Sequence, residues 1–323
     1  MDHRIQDGSA VDTAVMDLPE RSELSTEARA LLRTLLYFDL FDHPLRKEEL
    51  LAFCDHPVPD ANAALTELIR LGSAHTDGEF IAIGDVTTLA VRRAERSERA
   101  NSRMAKARRM SRLIDRFPFV RGVLLSGSIS KGVLAEDADI DYFVITRPGR
   151  LWVARTLLIL YKKIFLLNSR RDFCLNYFID TDHLEIEDQN LFTATELVTL
   201  VPMQGPAQCD ALFGANDWAW SRFPNMSRKR PGSMNVHTGR IKQLCEKFLG
   251  GWLGSALDDL CMRLTFLYWR RKFSHVDART FELAFRTRKY VSKHHPRNFQ
   301  QRVIDALGER ITRFDQEHGI DIR

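Results

Sequence analysis

VLLSGSISKGVLAEDADIDYFVIT, residues 123–146, combines two apolar runs with a Gly-Ser turn and a pair of aspartates. The runs VLL and YFVIT predict two strands. Because side chains at positions i and i+2 of a strand point to the same face, roughly 6–7 Å apart, we expect Asp139 and Asp141 to converge. Two carboxylates at that distance repel each other unless a cation lies between them, and a hard divalent ion with oxygen ligands is the natural one.

The Gly127-Ser128 pair follows the first predicted strand, where we expect a helix over residues 130–135 to begin. Glycine allows close approach of the backbone, and the N–H groups together with the serine hydroxyl can bind phosphate oxygens. Lys131 adds a positive charge nearby. A Gly-Ser turn alone, or an Asp-x-Asp sequence alone, also occurs in ordinary surface loops. Their combination within two strands is more specific, and it predicts a metal site that faces a phosphate site, as nucleotidyl transfer requires.

The segment resembles a known family. LLSGSISKG and DADIDYFVI are similar to the hallmark of the DNA polymerase β-like nucleotidyltransferase superfamily. CLNYFI, LFTATELVTLVPMQG and ANDWAWSRFPN resemble a bacterial group that places a winged helix before this core. The resemblance covers about residues 115–225. It implies a mixed sheet with flanking helices, a helical C-terminal region, a nucleoside triphosphate as substrate, and Mg²⁺ or Mn²⁺ as cofactor.

The resemblance also implies roles for particular residues. The residues that would bind the nucleotide phosphates are Gly127, Ser128, Ser130 and Lys131. The residues that would ligate the metal and take part in catalysis are Asp139 and Asp141.

The superfamily takes a third carboxylate from a later strand, and this chain departs from that pattern. The strand that should supply it is DFCLNYFID, residues 172–180, whose middle position is Asn176. Asp172 and Asp180 share its face by the period of a strand, but they lie at the strand ends. The third catalytic ligand is therefore Asn176, Asp172 or Asp180, or it is missing. A missing carboxylate would affect catalysis rather than nucleotide binding.

The chain around this core divides into further segments. Residues 1–24 are polar and aperiodic, which predicts a disordered tail. Residues 25–87 predict three helices and a hairpin, the layout of a winged helix-turn-helix. Residues 88–225 comprise the predicted nucleotidyltransferase core with a leading basic helix, and residues 226–323 a helical C-terminal domain. The predicted fold class is therefore α+β.

The third helix of the predicted winged helix is poorly suited to reading DNA. Such a helix enters the major groove and needs Arg, Lys, Asn or Gln that face outward. This helix offers Asp60, Glu67 and a single Arg70. A protein-contact or regulatory role is therefore the alternative to DNA binding.

Five basic residues of the leading helix follow a 4-3-4-3 spacing, which places them on one face. One interpretation is a solvated helix face. The other is a cationic surface, within residues 92–109, for the phosphates of a nucleic acid or of a substrate. The five residues are Arg92, Arg96, Arg99, Arg103 and Lys106.

Composition sets further bounds. The 323 residues carry a formal net charge of +4, with a pI near 8.8, which permits a nucleotide or nucleic-acid partner. The five cysteines are scattered without metal-ligand spacing, which favours reduced thiols inside a cell. The first residues lack the apolar core of a signal peptide, and no stretch of about 18 uncharged apolar residues occurs. We therefore expect a cytoplasmic protein without a membrane span.

Three hypotheses follow from the sequence. The first is a magnesium-dependent nucleotidyltransferase that moves a nucleoside monophosphate to the hydroxyl of a small molecule, a protein or a nucleic acid end. The second is a catalytically weak nucleotide-sensing regulator whose winged helix binds DNA or a protein partner. The third is a structural subunit with neither activity. The sequence leaves open the identity of the nucleoside triphosphate, of the acceptor and of the oligomeric state.

Overall fold

The computed structural model describes residues 24–169, 171–227, 239–295, 298–319 and 322. In these residues, thirteen helices accompany a mixed sheet of six strands and a separate two-stranded hairpin. The α+β fold class predicted from the sequence is confirmed at this level, together with the flanking helices and a mainly helical C-terminal region. The predicted tail lies, but for its last residue, outside the described residues.

The N-terminal elements form where cap residues and apolar periodicity predict them. Ser25 and Asp60 accept hydrogen bonds from the N–H groups of Ala28 and Ala63, so two of the helices begin directly after them. Leu45 bridges to the hairpin and so ties the hairpin to the helices. The elements are α1 (Thr26–Asp39), α2 (Lys47–Ala52), α3 (Ala61–Arg70), β1 (His75–Thr76) and β2 (Ile81–Ala82).

A 30-residue helix, α4 (Val86–Asp115), joins this N-terminal unit to the central sheet. It begins after Asp85, whose carboxylate accepts hydrogen bonds from two N–H groups of the first turn. Arg93 is buried against the N-terminal unit, and its guanidinium lies 2.6 Å from the Glu49 carboxylate. The paired charge compensates for the burial of the guanidinium and fixes α4 against α2.

The central sheet has the strand order β6-β3-β4-β5-β8-β7. β4 and β5 are parallel, and helix α6 makes the crossover between them, whereas every other pair is antiparallel. The elements of this part are β3 (Val120–Ser126), α5 (Gly127–Ser130), β4 (Asp141–Thr146), α6 (Leu151–Phe165), β5 (Cys174–Asp180), β6 (Val201–Gln204), β7 (Thr287–Arg288) and β8 (Val291–Lys293).

Alternating residues of β3 and β4 build a core on each face of the sheet. Val123 and Tyr142 belong to the core that includes residues of α4 and α6. Leu124 and Phe143 belong to the core on the other face, which three more helices complete. Those helices are α7 (Leu191–Val198), α8 (Pro206–Ala215) and α9 (Asp217–Ser221).

The C-terminal region is mainly helical, as predicted, but it also supplies two strands to the sheet. Residues 287–293 contribute β7 and β8, and β8 pairs with β5. The many charged residues of this segment concealed the strand pattern, and Lys293 is in fact buried beside Asp188, 2.9 Å away. The remaining helices are α10 (Arg240–Phe248), α11 (Trp252–Lys272), α12 (Ala278–Ala284) and α13 (Phe299–His318).

These helices do not all pack together. α11 lies against α6, whereas α13 returns to α1 and α7. Val303 and Phe314 of α13 therefore share a core with the N-terminal helices. The domain boundaries predicted from the sequence stay a prediction. Within the part of the chain that the structure describes, no helix combines the length and hydropathy needed to cross a bilayer.

We predict that Gly205→Ala strongly destabilises the fold. Gly205 connects β6 to α8 with a φ of +71°, and a Cβ there would lie 2.0 Å from the Arg121 carbonyl oxygen. Because backbone atoms must shift, we expect a loss of about 3 kcal/mol or more in the free energy of unfolding. Gly149→Ala is the matched control, since its φ is +67° with no atom within 4 Å, and it should cost about 1 kcal/mol. Equal losses in urea unfolding would show that the close contact does not matter.

Candidate active site

The Gly127-Ser128 turn lies directly against the aspartate pair. Ser126, the last residue of β3, pairs with Asp141, the first residue of β4. Gly127 has a φ of +70°, and a Cβ on it would lie 2.6 Å from Asp141 Oδ2. Glycine is therefore required at this position for steric reasons. The helix predicted over residues 130–135 is instead the single turn α5, which begins at Gly127 itself.

Asp139 and Asp141 flank the buried residue Ile140. The strand begins at Asp141, so the prediction that both aspartates lie inside it was wrong for Asp139. The extended conformation nevertheless starts earlier, because Ile140 donates to the Arg171 carbonyl and accepts from the Cys174 N–H. The charge of Asp139 raises the pKa of Asp141, while the convergence of the two carboxylates stays a prediction.

The pKa of Asp141 is raised to about 7. Burial is the largest cause, and the negative charges of Asp139 and Glu196 add to it. The Cys174 thiol and the Lys131 ammonium oppose the shift but do not cancel it. The pair thus carries negative charge that the surrounding side chains compensate only in part.

Asn176 contacts Asp141 directly. Its Nδ2 donates to Asp141 Oδ1 at 2.5 Å, and its Oδ1 accepts from the Cys174 thiol at 3.1 Å. The register of β4 and β5 shifts here, because Tyr142 pairs with Leu175 and Phe143 with Tyr177. Asn176 is therefore the extra residue of a bulge, and the bulge aims its side chain at the aspartate.

The other two candidates for a third ligand are engaged elsewhere. Asp172 lies 2.6 Å from Arg103 and also pairs with Lys106, both on α4. Asp180 is buried at the opposite end of β5, where its carboxylate lies 2.8 Å from His183 Nδ1. Of the three candidate residues for a third ligand, Asn176 is therefore the one that lies beside Asp141.

Lys131 does not extend freely toward a ligand. Its Nζ lies 2.7 Å from Glu196 Oε1 and donates to the Gly127 carbonyl at 3.1 Å. The Ser130 hydroxyl donates to the same carbonyl at 2.8 Å, so both predicted nucleotide-binding residues help to fix the turn. Sequence reasoning missed Glu196. Its signal was available, because it is the one acidic residue of the otherwise uncharged helix LFTATELV.

The basic stripe of α4 makes ion pairs within the chain. Arg92 and Arg96 lie near Asp42, Arg99 pairs with Glu95, and the last two residues of the stripe hold Asp172. These side chains stay partly exposed, so the contacts are compatible with the interpretation as a solvated helix face. A nucleic-acid surface at residues 92–109 stays a prediction, since such a ligand would have to compete with these carboxylates.

Comparisons with protein-family models, curated proteins and solved structures find no match for this chain. Among the described residues, no group of three or more His, Cys, Asp or Glu side chains is arranged to hold a metal ion. Any metal at the aspartate pair would therefore need further oxygen ligands from a bound molecule or from water.

We predict that Asp141→Asn stabilises the metal-free protein at high pH. The raised pKa means that folding favours the protonated acid, so the stability from this group is complete below about pH 4 and is lost as the pH rises to about 7. Asparagine mimics the protonated acid and avoids this loss. In urea unfolding with a chelator, we expect a gain of about 1–3 kcal/mol at pH 8 and little gain at pH 4.

Asp137→Asn is the matched control, because Asp137 is exposed in the preceding turn. It should change the free energy of unfolding little at either pH. If Asp141→Asn changes the free energy of unfolding equally at pH 4 and pH 8, the charged form of Asp141 does not destabilise the fold.

Proposed function

We propose that this protein is a divalent-metal-dependent nucleotidyltransferase that transfers a nucleoside monophosphate from a nucleoside triphosphate to an acceptor hydroxyl. One observation carries the proposal: the Gly127-Ser128 turn packs so closely against the carboxylate of Asp141 that a Cβ on Gly127 would lie 2.6 Å from its Oδ2. A phosphate bound at the turn would therefore lie beside the aspartate pair. The sequence resemblance to the polymerase β-like superfamily, with its winged helix and core, supports the same proposal.

The donor set fits a metal held jointly with the substrate. Mg²⁺ is usually bound by one or two carboxylates together with substrate phosphates and water, so a cluster of three protein ligands is not needed. The raised pKa of Asp141 supports this, since a cation is what its environment lacks. Asp139 and Asp141 would hold the ion. When bound, Mg²⁺ or Mn²⁺ supplies electrostatic stabilisation of the charge on the triphosphate and the departing pyrophosphate.

Other residues of the chain would bind the phosphates and hold the turn in place. Gly127 and Ser128 bring N–H groups and a hydroxyl to the phosphate oxygens. Ser130 and Lys131 hold the turn through the Gly127 carbonyl. Lys131 can also turn to a phosphate if it exchanges its Glu196 partner for the ligand, because both offer anionic oxygens. The acceptor hydroxyl of a small molecule, protein or nucleic acid end would approach from the side of Asn176.

We predict that Asp139→Asn and Asp141→Asn each weaken magnesium-dependent nucleotide binding at least about tenfold. Each variant removes one of two carboxylate ligands while the backbone of the turn is kept. The measurement is titration of each of the four nucleoside triphosphates with and without Mg²⁺ at pH 8. Asp137→Asn again serves as the control and should bind like the parent. Parental affinity in both site variants would disprove the metal site.

A second function, nucleotide sensing without efficient transfer, is favoured by Asn176. The amide that contacts Asp141 carries no negative charge, and the two acids that might replace it lie elsewhere. The metal that activates an attacking hydroxyl would be weakly held. In this alternative the N-terminal winged helix passes the signal to DNA or to a protein partner. Glu67 of α3 and Asp60, the residue that caps it, favour the protein partner.

We predict that Asn176→Asp raises the rate of nucleotidyl transfer by about 10–100-fold, since a carboxylate there can hold a second metal or accept the proton of the acceptor. The assay follows pyrophosphate release, and label transfer from each triphosphate to the protein or to a metabolite extract. Asn101→Asp, at an exposed position of α4, is the control and should leave the rate unchanged. If Asn176→Asp has no effect while Asp180→Asn abolishes transfer, the third ligand is Asp180.

A further inference from the structure

α11 presents a row of leucines to solvent. Leu253, Leu257, Leu260, Leu264 and Leu267 follow a 4-3-4-3 spacing, and each is between 38% and 62% exposed. We call this row the leucine stripe. The opposite side of α11 is buried, because the helix packs against α6 and places Trp269 in the core of the sheet. α11 therefore has one face satisfied within the chain and an apolar face that no described residue covers.

α10 extends the apolar surface. Ile241, Leu244 and Phe248 share one face of α10 and are between 69% and 80% exposed, and Trp252 follows them at the start of α11. The exposed side chains of the two helices sum to apolar area on the order of 1,000 Å². Monomeric proteins seldom expose apolar patches above about 600 Å², whereas each partner of a stable dimer buries about 800 Å². The sum over the two helices is of the size that a dimer interface buries.

We propose that a second copy of this chain covers the leucine stripe, so that the two α11 helices pair as a short coiled coil. The 4-3-4-3 spacing is the seven-residue repeat that keeps an apolar seam aligned with a second helix. Leucine at every position of the seam makes the stripe complementary to itself, as an interface with two-fold symmetry requires.

The residues beside the stripe decide the orientation. Arg263 and Arg270 lie along one edge, and Cys261 and Tyr268 along the other. Antiparallel helices would bring the two arginine edges together, and like charges repel. Parallel helices bring the edge of one copy against the other edge of its neighbour, so Arg263 of each copy faces Tyr268 of the other. Within the chain Lys272 already lies over the Tyr268 ring, so the repulsion between the arginine edges is what favours the parallel pairing.

The test is the mass of the full chain in solution. We expect light scattering after gel filtration to give twice the chain mass of 37.3 kDa. The double variant Leu260→Glu/Leu264→Glu should have the mass of a monomer, with unchanged circular dichroism because both leucines are exposed. Val91→Glu is the control, since Val91 is 59% exposed on α4 and lies away from the stripe. It should stay a dimer.

Several results would overturn the proposal. A monomeric parent at tens of micromolar would do so, whether or not it sediments with vesicles of phosphatidylserine and phosphatidylcholine; sedimentation would assign the surface to lipid. A dimer that survives the double leucine variant would place the interface elsewhere. Orientation is tested with Leu267→Cys, at one end of the stripe: only parallel helices bring its two copies together, so it should form a disulfide-linked dimer on mild oxidation, whereas Val91→Cys and the parent should not. A dimer in which Leu267→Cys fails to cross-link would exclude the parallel arrangement.

Discussion

The close approach of the Gly127 backbone to the Asp141 carboxylate is the constraint on which the candidate site depends. It follows from the pairing of Ser126 with Asp141, which joins the end of β3 to the start of β4. The same approach removes water from the carboxylate, and the pKa of Asp141 rises to about 7 as a result. The strand register is therefore coupled to the positive φ of Gly127 and to the charge state of Asp141.

Two other acids of the fold are compensated by cations more fully than Asp141 is. Asp172, a few residues before β5, is held by two cations of α4, and Asp188 lies 2.9 Å from both Arg286 and Lys293. Asp141 instead accepts a hydrogen bond from the neutral Asn176 amide. Lys131, whose charge lowers the pKa of Asp141, already pairs with Glu196. Asp172 and Asp188 are thus compensated by cations of the chain, whereas Asp141 is compensated only in part.

Much of this arrangement can be predicted from local sequence, and the rest depends on long-range packing. The turn, the aspartate pair and the N-terminal helices follow from short-range patterns. Strand period alone placed Asp172 and Asp180 on the face of Asn176, but the bulge in β5 breaks that alternation. Glu196 approaches from a helix 55 residues after Asp141, so no local spacing connects the two. β8 is found only through its pairing with β5.

Two helices illustrate the limit of periodicity with the same 4-3-4-3 spacing. In α4 the spacing collects five basic side chains, and the chain itself supplies their acidic partners, among them Asp42 and Asp172. In α11 it collects five leucines, and nothing in the described residues covers them. Periodicity predicts which side chains share a helix face, whereas the tertiary structure shows whether other residues contact that face. The ion pairs of the basic stripe therefore come from folding, whereas no described residue covers the leucine stripe, for which we propose a second copy of the chain as partner.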